Sequence, residues 1–154
     1  MTAAAVVRAL NARKWTLTTA ESCTGGLLAA AITDIAGSSA VFNQGVVTYS
    51  NAAKMQLLGV RANTLSKYGA VSEDVAREMA QGAQHHANAQ IAISITGIAG
   101  PGGSEFKPEG RVCFGLSWDG QAQTETRDFG PLGRAEVRRQ SVIHALHLIL
   151  TALG

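Results

Sequence analysis

A serine, a cysteine and two glycines meet in the run Thr18-Thr19-Ala20-Glu21-Ser22-Cys23-Thr24-Gly25-Gly26, where a β-like stretch gives way to an apolar helical one. Ser22 has the placement of a nucleophile. A helix beginning near Thr24 would aim its unpaired N–H groups at a phosphate or an oxyanion beside Ser22. Gly25 and Gly26 would let that ligand approach the backbone. The same residues also fit a plain capped turn, so the rest of the chain must supply partners. A serine hydroxyl needs a base. His85, His86, His144 and His147 all fall in helical stretches, none at a strand end, which leaves a Ser-His-Asp triad without support. Lys54 is better placed, within a helical turn of the strand end at Tyr49 and Ser50. A lysine buried there gives up its proton more readily than a solvated one and can accept the serine proton. Tyr49 could orient or relay that proton. Cys23 is the rival nucleophile, because a helix N-terminus lowers a thiol pKa.

A second glycine-rich segment, Thr96-Gly97-Ile98-Ala99-Gly100-Pro101-Gly102-Gly103, follows an apolar strand. Thr96 offers a hydroxyl at the strand exit, and Gly97 and Gly100 allow close approach of a ligand to backbone N–H groups. The segment matches neither the dinucleotide fingerprint nor the phosphate loop with its lysine. Arg134 and Arg138, four apart near the start of the last helix, could bind a substrate phosphate or form a solvated face.

The elements that must position these groups are legible from periodicity and turn chemistry. Residues 2–12 read as a helix, 15–20 as a strand, 27–35 as a helix apolar almost all round and so buried, and 41–50 as a strand. Asn51 can cap the helix that carries Lys54, Leu57 and Leu58. Ser72-Glu73-Asp74 opens a helix running to about residue 86, and 91–95 is a strand covered on both faces. Residues 112–118 and 124–129 form strands joined around Asp119-Gly120, and a helix from 134 to 150 closes the chain. Strands alternating with helices before a hairpin predict a three-layer α/β/α sandwich with a mixed β-sheet, as one domain over residues 1–154. In such sheets ligands gather beyond the carboxyl ends of the strands, so three loops distant in sequence should converge on one crevice.

The chain has 154 residues, 46% hydrophobic and 16% charged, with 17 glycines, which suits a globular α/β protein with many turns. A net charge of +2 with scattered basic residues argues against a nucleic-acid partner. No stretch is long and apolar enough for a membrane span, and no secretory leader is apparent. The two cysteines lack metal or disulfide spacing, so a reducing cytoplasm and no bound metal are expected.

Four blocks occur in one order: residues 19–26; Gly45-Val46-Val47-Thr48-Tyr49-Ser50-Asn51 with Lys54, Leu57, Leu58, Gly59 and Val60; Gly69-Ala70-Val71-Ser72; and residues 96–103. Together they resemble the CinA carboxy-terminal domain family over nearly the whole chain. That resemblance implies a deamidase of nicotinamide mononucleotide, releasing nicotinate mononucleotide and ammonia in pyridine-nucleotide salvage, with no cofactor. It further implies Ser22 as nucleophile, Lys54 as base, Tyr49 as its helper and Thr96 as a further active-site position. Substrate contacts would come from Thr24, Gly25, Gly26, Gly97, Gly100 and an arginine of the last helix, Arg134 or Arg138. Family members often read Gly-Asp-Arg where this chain has Leu132-Gly133-Arg134, and the stretch 104–109 would reshape the rim. A homo-oligomer, a dimer among the options, is expected from the family. The alternatives are a non-catalytic nucleotide-binding module and an amidase for another small amide.

Overall fold

The computed structural model describes residues 2–104 and 106–154. In chain order the strands are β1 (Leu17–Glu21), β2 (Phe42–Val47), β3 (Ile91–Gly97), β4 (Arg111–Trp118) and β5 (Gln121–Asp128). The helices are α1 (Ala3–Arg13), α2 (Leu27–Thr33), α3 (Asn51–Leu58), α4 (Ala62–Tyr68), α5 (Glu73–Ala87) and α6 (Arg134–Leu153). The strands form one mixed sheet in the order β2-β1-β3-β4-β5, with β1 parallel to both β2 and β3 and the β3–β4 and β4–β5 pairs antiparallel.

Alternation along the strands sorts the side chains into two layers. Leu17, Ile91, Ile93, Ile95, Phe114 and Leu116 share one face and close against α1, α2 and α6. Ala20 and Ala92 belong to the other face, where Val75, Met79 and Ala83 of α5 and Leu58 of α3 complete a second core. The sandwich is therefore the predicted three-layer α/β/α arrangement. Because β2, β1 and β3 run in one direction, their carboxyl ends meet along a single sheet edge, and the loops that follow them face a common space.

Small residues let α5 lie close to its neighbours. A Cβ built on Gly82 would overlap the carbonyl oxygen of Leu58 at the end of α3. Alanine normally gains roughly 1 kcal/mol over glycine inside a helix, yet here overpacking against backbone should win. Gly82→Ala is expected to lose about 1–3 kcal/mol of stability, seen as a lower urea midpoint at unchanged m-value.

Several predicted boundaries move, each for a local reason. β1 extends through Glu21 because its pairing with β2 and β3 continues to that residue. β2 stops at Val47, and Ser50 rather than Asn51 caps α3, its Oγ accepting from the Ala53 N–H at 3.1 Å. The seven-residue α4 was not expected. It lacks a side-chain cap and buries only Thr64 and Leu65, too little pattern to register as a period. β5 begins at Gln121, since the tight turn propagates the ladder through polar residues on an edge strand. α2 is shorter than predicted and only half-covered, with Leu28 and Ile32 buried and Leu27 on the surface.

Candidate active site

At the carboxyl edge of the parallel strands a cavity of about 380 Å³ opens, of the size that holds a small-molecule ligand. Ser22, Tyr49, Lys54, Thr96, Gly97, Gly100 and Arg134 line it, and Cys23 lies in its wall. The three predicted loops do converge here.

Ser22 is the first residue past β1, and its N–H donates to the Ile95 carbonyl at 2.9 Å, so its backbone is anchored to the central strand β3. Lys54 comes from the first turns of α3, points inward and is only 1% exposed. Its Nζ lies 3.0 Å from Ser22 Oγ and 2.8 Å from the Thr48 carbonyl oxygen, to which it donates. Thr96 is buried and donates its hydroxyl proton to the Ala70 carbonyl at 2.9 Å, which turns the oxygen's lone pairs toward other partners.

The residues expected to bind substrate divide into two groups. Arg134 stands at the rim of the cavity, donating from Nη1 to the Gly100 carbonyl at 2.8 Å and from Nη2 to the Tyr49 hydroxyl at 2.7 Å. Tyr49 is 61% exposed and is held by that arginine, a partner that lies 85 residues away in sequence. Arg138, one helical turn further along α6, faces the outside of the Ser22 turn. Its Nε donates to the Cys23 carbonyl at 3.1 Å and its Nη2 reaches the Thr24 carbonyl at 3.4 Å. Thr24, Gly25 and Gly26 do not line the cavity either. Thr24 is buried with its hydroxyl committed to Glu21, and Gly25 and Gly26 take the positive φ angles of 58° and 108° that carry the chain from strand to helix.

The expectation of a helix N-terminus open to an anion beside Ser22 is corrected. α2 begins only at Leu27, after the Gly26 cap, and its first amides are already occupied. The buried carboxylate of Glu21 accepts from the Leu28 N–H at 2.9 Å through Oε1 and from the Ala29 N–H at 3.0 Å through Oε2. In sequence Glu21 stands out only as a member of its run. The available signal was an acid at a strand end just before a helix start, where it complements the positive end of the helix dipole.

Cys23, the rival nucleophile, is buried in the cavity wall. Burial, ahead of every other influence, pushes its thiol up to about 12, which disfavours the thiolate. Across the cavity, Glu109 ties the glycine loop to the start of α6, accepting from the Gly102 N–H at 2.7 Å and the Gly133 N–H at 3.3 Å. This brings a carboxylate to the corner where the Leu132-Gly133-Arg134 sequence has none. Within the stretch 104–109 expected to shape the rim, residue 105 lies outside the described residues. Among the described residues no cluster of three or more His, Cys, Asp or Glu side chains could hold a metal ion, and no helix is long and apolar enough to cross a membrane.

A three-layer α/β sandwich with a serine and a buried lysine joined at the carboxyl edge of its sheet is the class of protein that the fold and cavity define. The chain belongs to the CinA family, the CinA C-terminal domain matching residues 1–153. It is 56% identical over 144 residues to the nicotinamide-nucleotide amidohydrolase PncC of Enterobacter agglomerans, a match covering 92% of this chain and 87% of that protein. The protein of the same name from Escherichia coli K12 is 54% identical over 145 residues, covering 94% and 88%. Among solved structures, a CinA superfamily protein from Klebsiella pneumoniae superposes with a TM-score of 0.95 at 45% identity, covering 98% of this chain and 94% of that one.

Proposed function

We propose that this chain hydrolyses the carboxamide of nicotinamide mononucleotide to nicotinate mononucleotide and ammonia, with Ser22 as nucleophile and Lys54 as base. The observation that carries the proposal is the 3.0 Å contact between Ser22 Oγ and the buried Lys54 Nζ at the floor of a nucleotide-sized cavity. The substrate comes from the relatives' amidohydrolase name.

Burial removes the water that stabilises an ammonium and so favours the neutral amine. With one N–H held by the Thr48 carbonyl, that amine can turn its lone pair to the Ser22 hydroxyl. As Ser22 Oγ attacks the carboxamide carbon, its proton passes to Lys54 Nζ, and the carbonyl π electrons move onto oxygen. Gly25 spends its N–H on the Ser22 carbonyl and Thr24 lies behind the cavity wall, so in this reading the oxyanion donor from this turn is the amide of Cys23. Collapse of the tetrahedral intermediate breaks the C–N bond, and Lys54 returns the proton to the leaving ammonia. Water, deprotonated by Lys54, then attacks the Ser22 ester; the C–Oγ bond breaks as Lys54 returns that proton to Ser22 Oγ, and the acid product leaves as its carboxylate, releasing one proton to solvent. Thr96, its own proton spent on Ala70, is suited to accept an N–H of the carboxamide. Arg134 is the phosphate ligand of choice, lying at the rim where a ribose phosphate would emerge. A cytoplasmic, homo-oligomeric, single-domain protein acting without cofactor, nucleic acid or membrane completes the reading.

The test is ammonia release from nicotinamide mononucleotide by wild type, Ser22→Ala and Cys23→Ala. Wild type and Cys23→Ala should turn over at comparable rates, and Ser22→Ala should fall by at least about a thousandfold. In line with its raised pKa, Cys23 should also resist iodoacetamide at pH 8 in the native protein. Full activity in Ser22→Ala would remove the serine from the mechanism. Binding of the nucleotide without ammonia release would favour a non-catalytic module.

A further inference from the structure

We infer that Glu21 is the positioning residue that holds the Ser22 turn in register with Lys54. Its kinetic readout rests on the deamidase reading, while its structural readout does not. Glu21 is 1% exposed, and a carboxylate that deep must be met by donors. Its donors lie on the segment beyond Ser22: the Thr24 hydroxyl at 2.6 Å and the N–H groups of Leu28 and Ala29 at 2.9 and 3.0 Å. The side chain thus spans the turn and ties its start to its middle and to the first amides of α2.

The backbone of the same residue holds the other half of the site. The Glu21 carbonyl accepts from the Thr48 N–H at 2.9 Å, and the Thr48 carbonyl accepts from Lys54 Nζ at 2.8 Å. One residue therefore anchors the lysine through its main chain and the serine through its side chain. The two strands of this connection close at the 3.0 Å contact between Ser22 Oγ and Lys54 Nζ. α2 has no side chain at its own cap, Gly26, so Glu21 supplies the side-chain tie between the turn and α2, beside the backbone bond from the Leu27 N–H to the Thr24 carbonyl at 3.0 Å. Arg138 grips it only from α6, through the Cys23 and Thr24 carbonyls.

A misplacement of about 1 Å at reacting atoms can cost on the order of a hundredfold in rate. Glu21→Ala is expected to lower kcat on nicotinamide mononucleotide by about that factor with KM within about threefold. Glu21→Gln should recover part of the loss, because its amide oxygen still accepts from Thr24 and Leu28 while its NH2 group faces the Ala29 N–H. Thr24→Val removes only the hydroxyl tie and should lower kcat with a near-native melting temperature, which keeps the test alive should Glu21→Ala fail to fold. Crystal structures of the variants should show Ser22 Oγ displaced from Lys54 Nζ, most in Glu21→Ala or, where that variant does not fold, in Thr24→Val. Wild-type kcat per folded molecule in Glu21→Gln and Thr24→Val, or an unmoved Ser22 in the crystals, overturns the inference and leaves Glu21 as a helix cap. A wild type that releases no ammonia defeats the deamidase reading, and the crystallographic distance then decides the role of Glu21.

Discussion

Lys54→Met is expected to abolish ammonia release, by at least about a thousandfold in kcat, while leaving the protein folded. The side chain is buried at the floor of the cavity, where methionine has nearly the same reach and no polar head to desolvate. Burying a polar amine costs free energy that an apolar side chain of similar volume does not. Against this stands the Thr48 carbonyl, which loses its Lys54 donor at a cost of roughly 1–3 kcal/mol. The two effects oppose each other, so the melting temperature should move by only a few degrees. Lys54→Arg tests the chemistry from the other side, because it keeps a cation that cannot give up its proton; it too should be inactive. The wild-type pH profile carries the same assignment. A base works only when deprotonated, so kcat/KM should rise tenfold per pH unit on its acid limb and level off once the lysine has lost its proton. Turnover retained in Lys54→Arg, or a profile that falls as pH rises through neutrality, would remove the lysine from the role of base.

Arg134→Ala should raise KM for nicotinamide mononucleotide by about a hundredfold, with a smaller effect on nicotinamide riboside, which has no phosphate. The guanidinium already bridges two loops, through the Gly100 carbonyl and the Tyr49 hydroxyl, and its planar fork leaves further donors for an anion. A charge-assisted, bidentate contact to phosphate is worth roughly twice a neutral hydrogen bond, so its loss falls chiefly on binding. Arg134→Lys should rescue only in part, since an ammonium cannot hold Gly100, Tyr49 and a phosphate in one plane. Arg138→Ala should behave differently. That side chain holds the carbonyls of Cys23 and Thr24, outside the cavity, so its loss should lower kcat more than it raises KM. An equal KM effect on the mononucleotide and the riboside would show that Arg134 does not hold the phosphate.

Much of this molecule follows from local rules. The runs that became β3, β4, α5 and α6 carry strong periods or turn signals, and the structure places them within a few residues of expectation. The segments that moved are those whose state depends on partners. α4 is too short to show a period, and β5 is built from polar residues that only the hairpin partner makes into a strand. Arg134 and Arg138 were indistinguishable in sequence because both face roughly the same side of α6. One helical turn, about 5.4 Å, separates the cavity rim from the back of the Ser22 turn, and only the packing of α6 against α2 and the sheet shows which arginine meets which.

The amino-acid sequence by itself determined the three-layer class, the order of its elements and the residue types at the strand ends, because periodicity, capping and turn chemistry act over a few neighbouring residues. Tertiary structure decided that Glu21 occupies the amides expected to meet a ligand, that Tyr49 belongs to Arg134, and that Cys23 is buried deeply enough for its thiol to be pushed well up. The physical reason is that desolvation and hydrogen-bond satisfaction depend on what closes over a group in space. Those closing groups come from segments up to 115 residues away, as with Arg138 and Cys23.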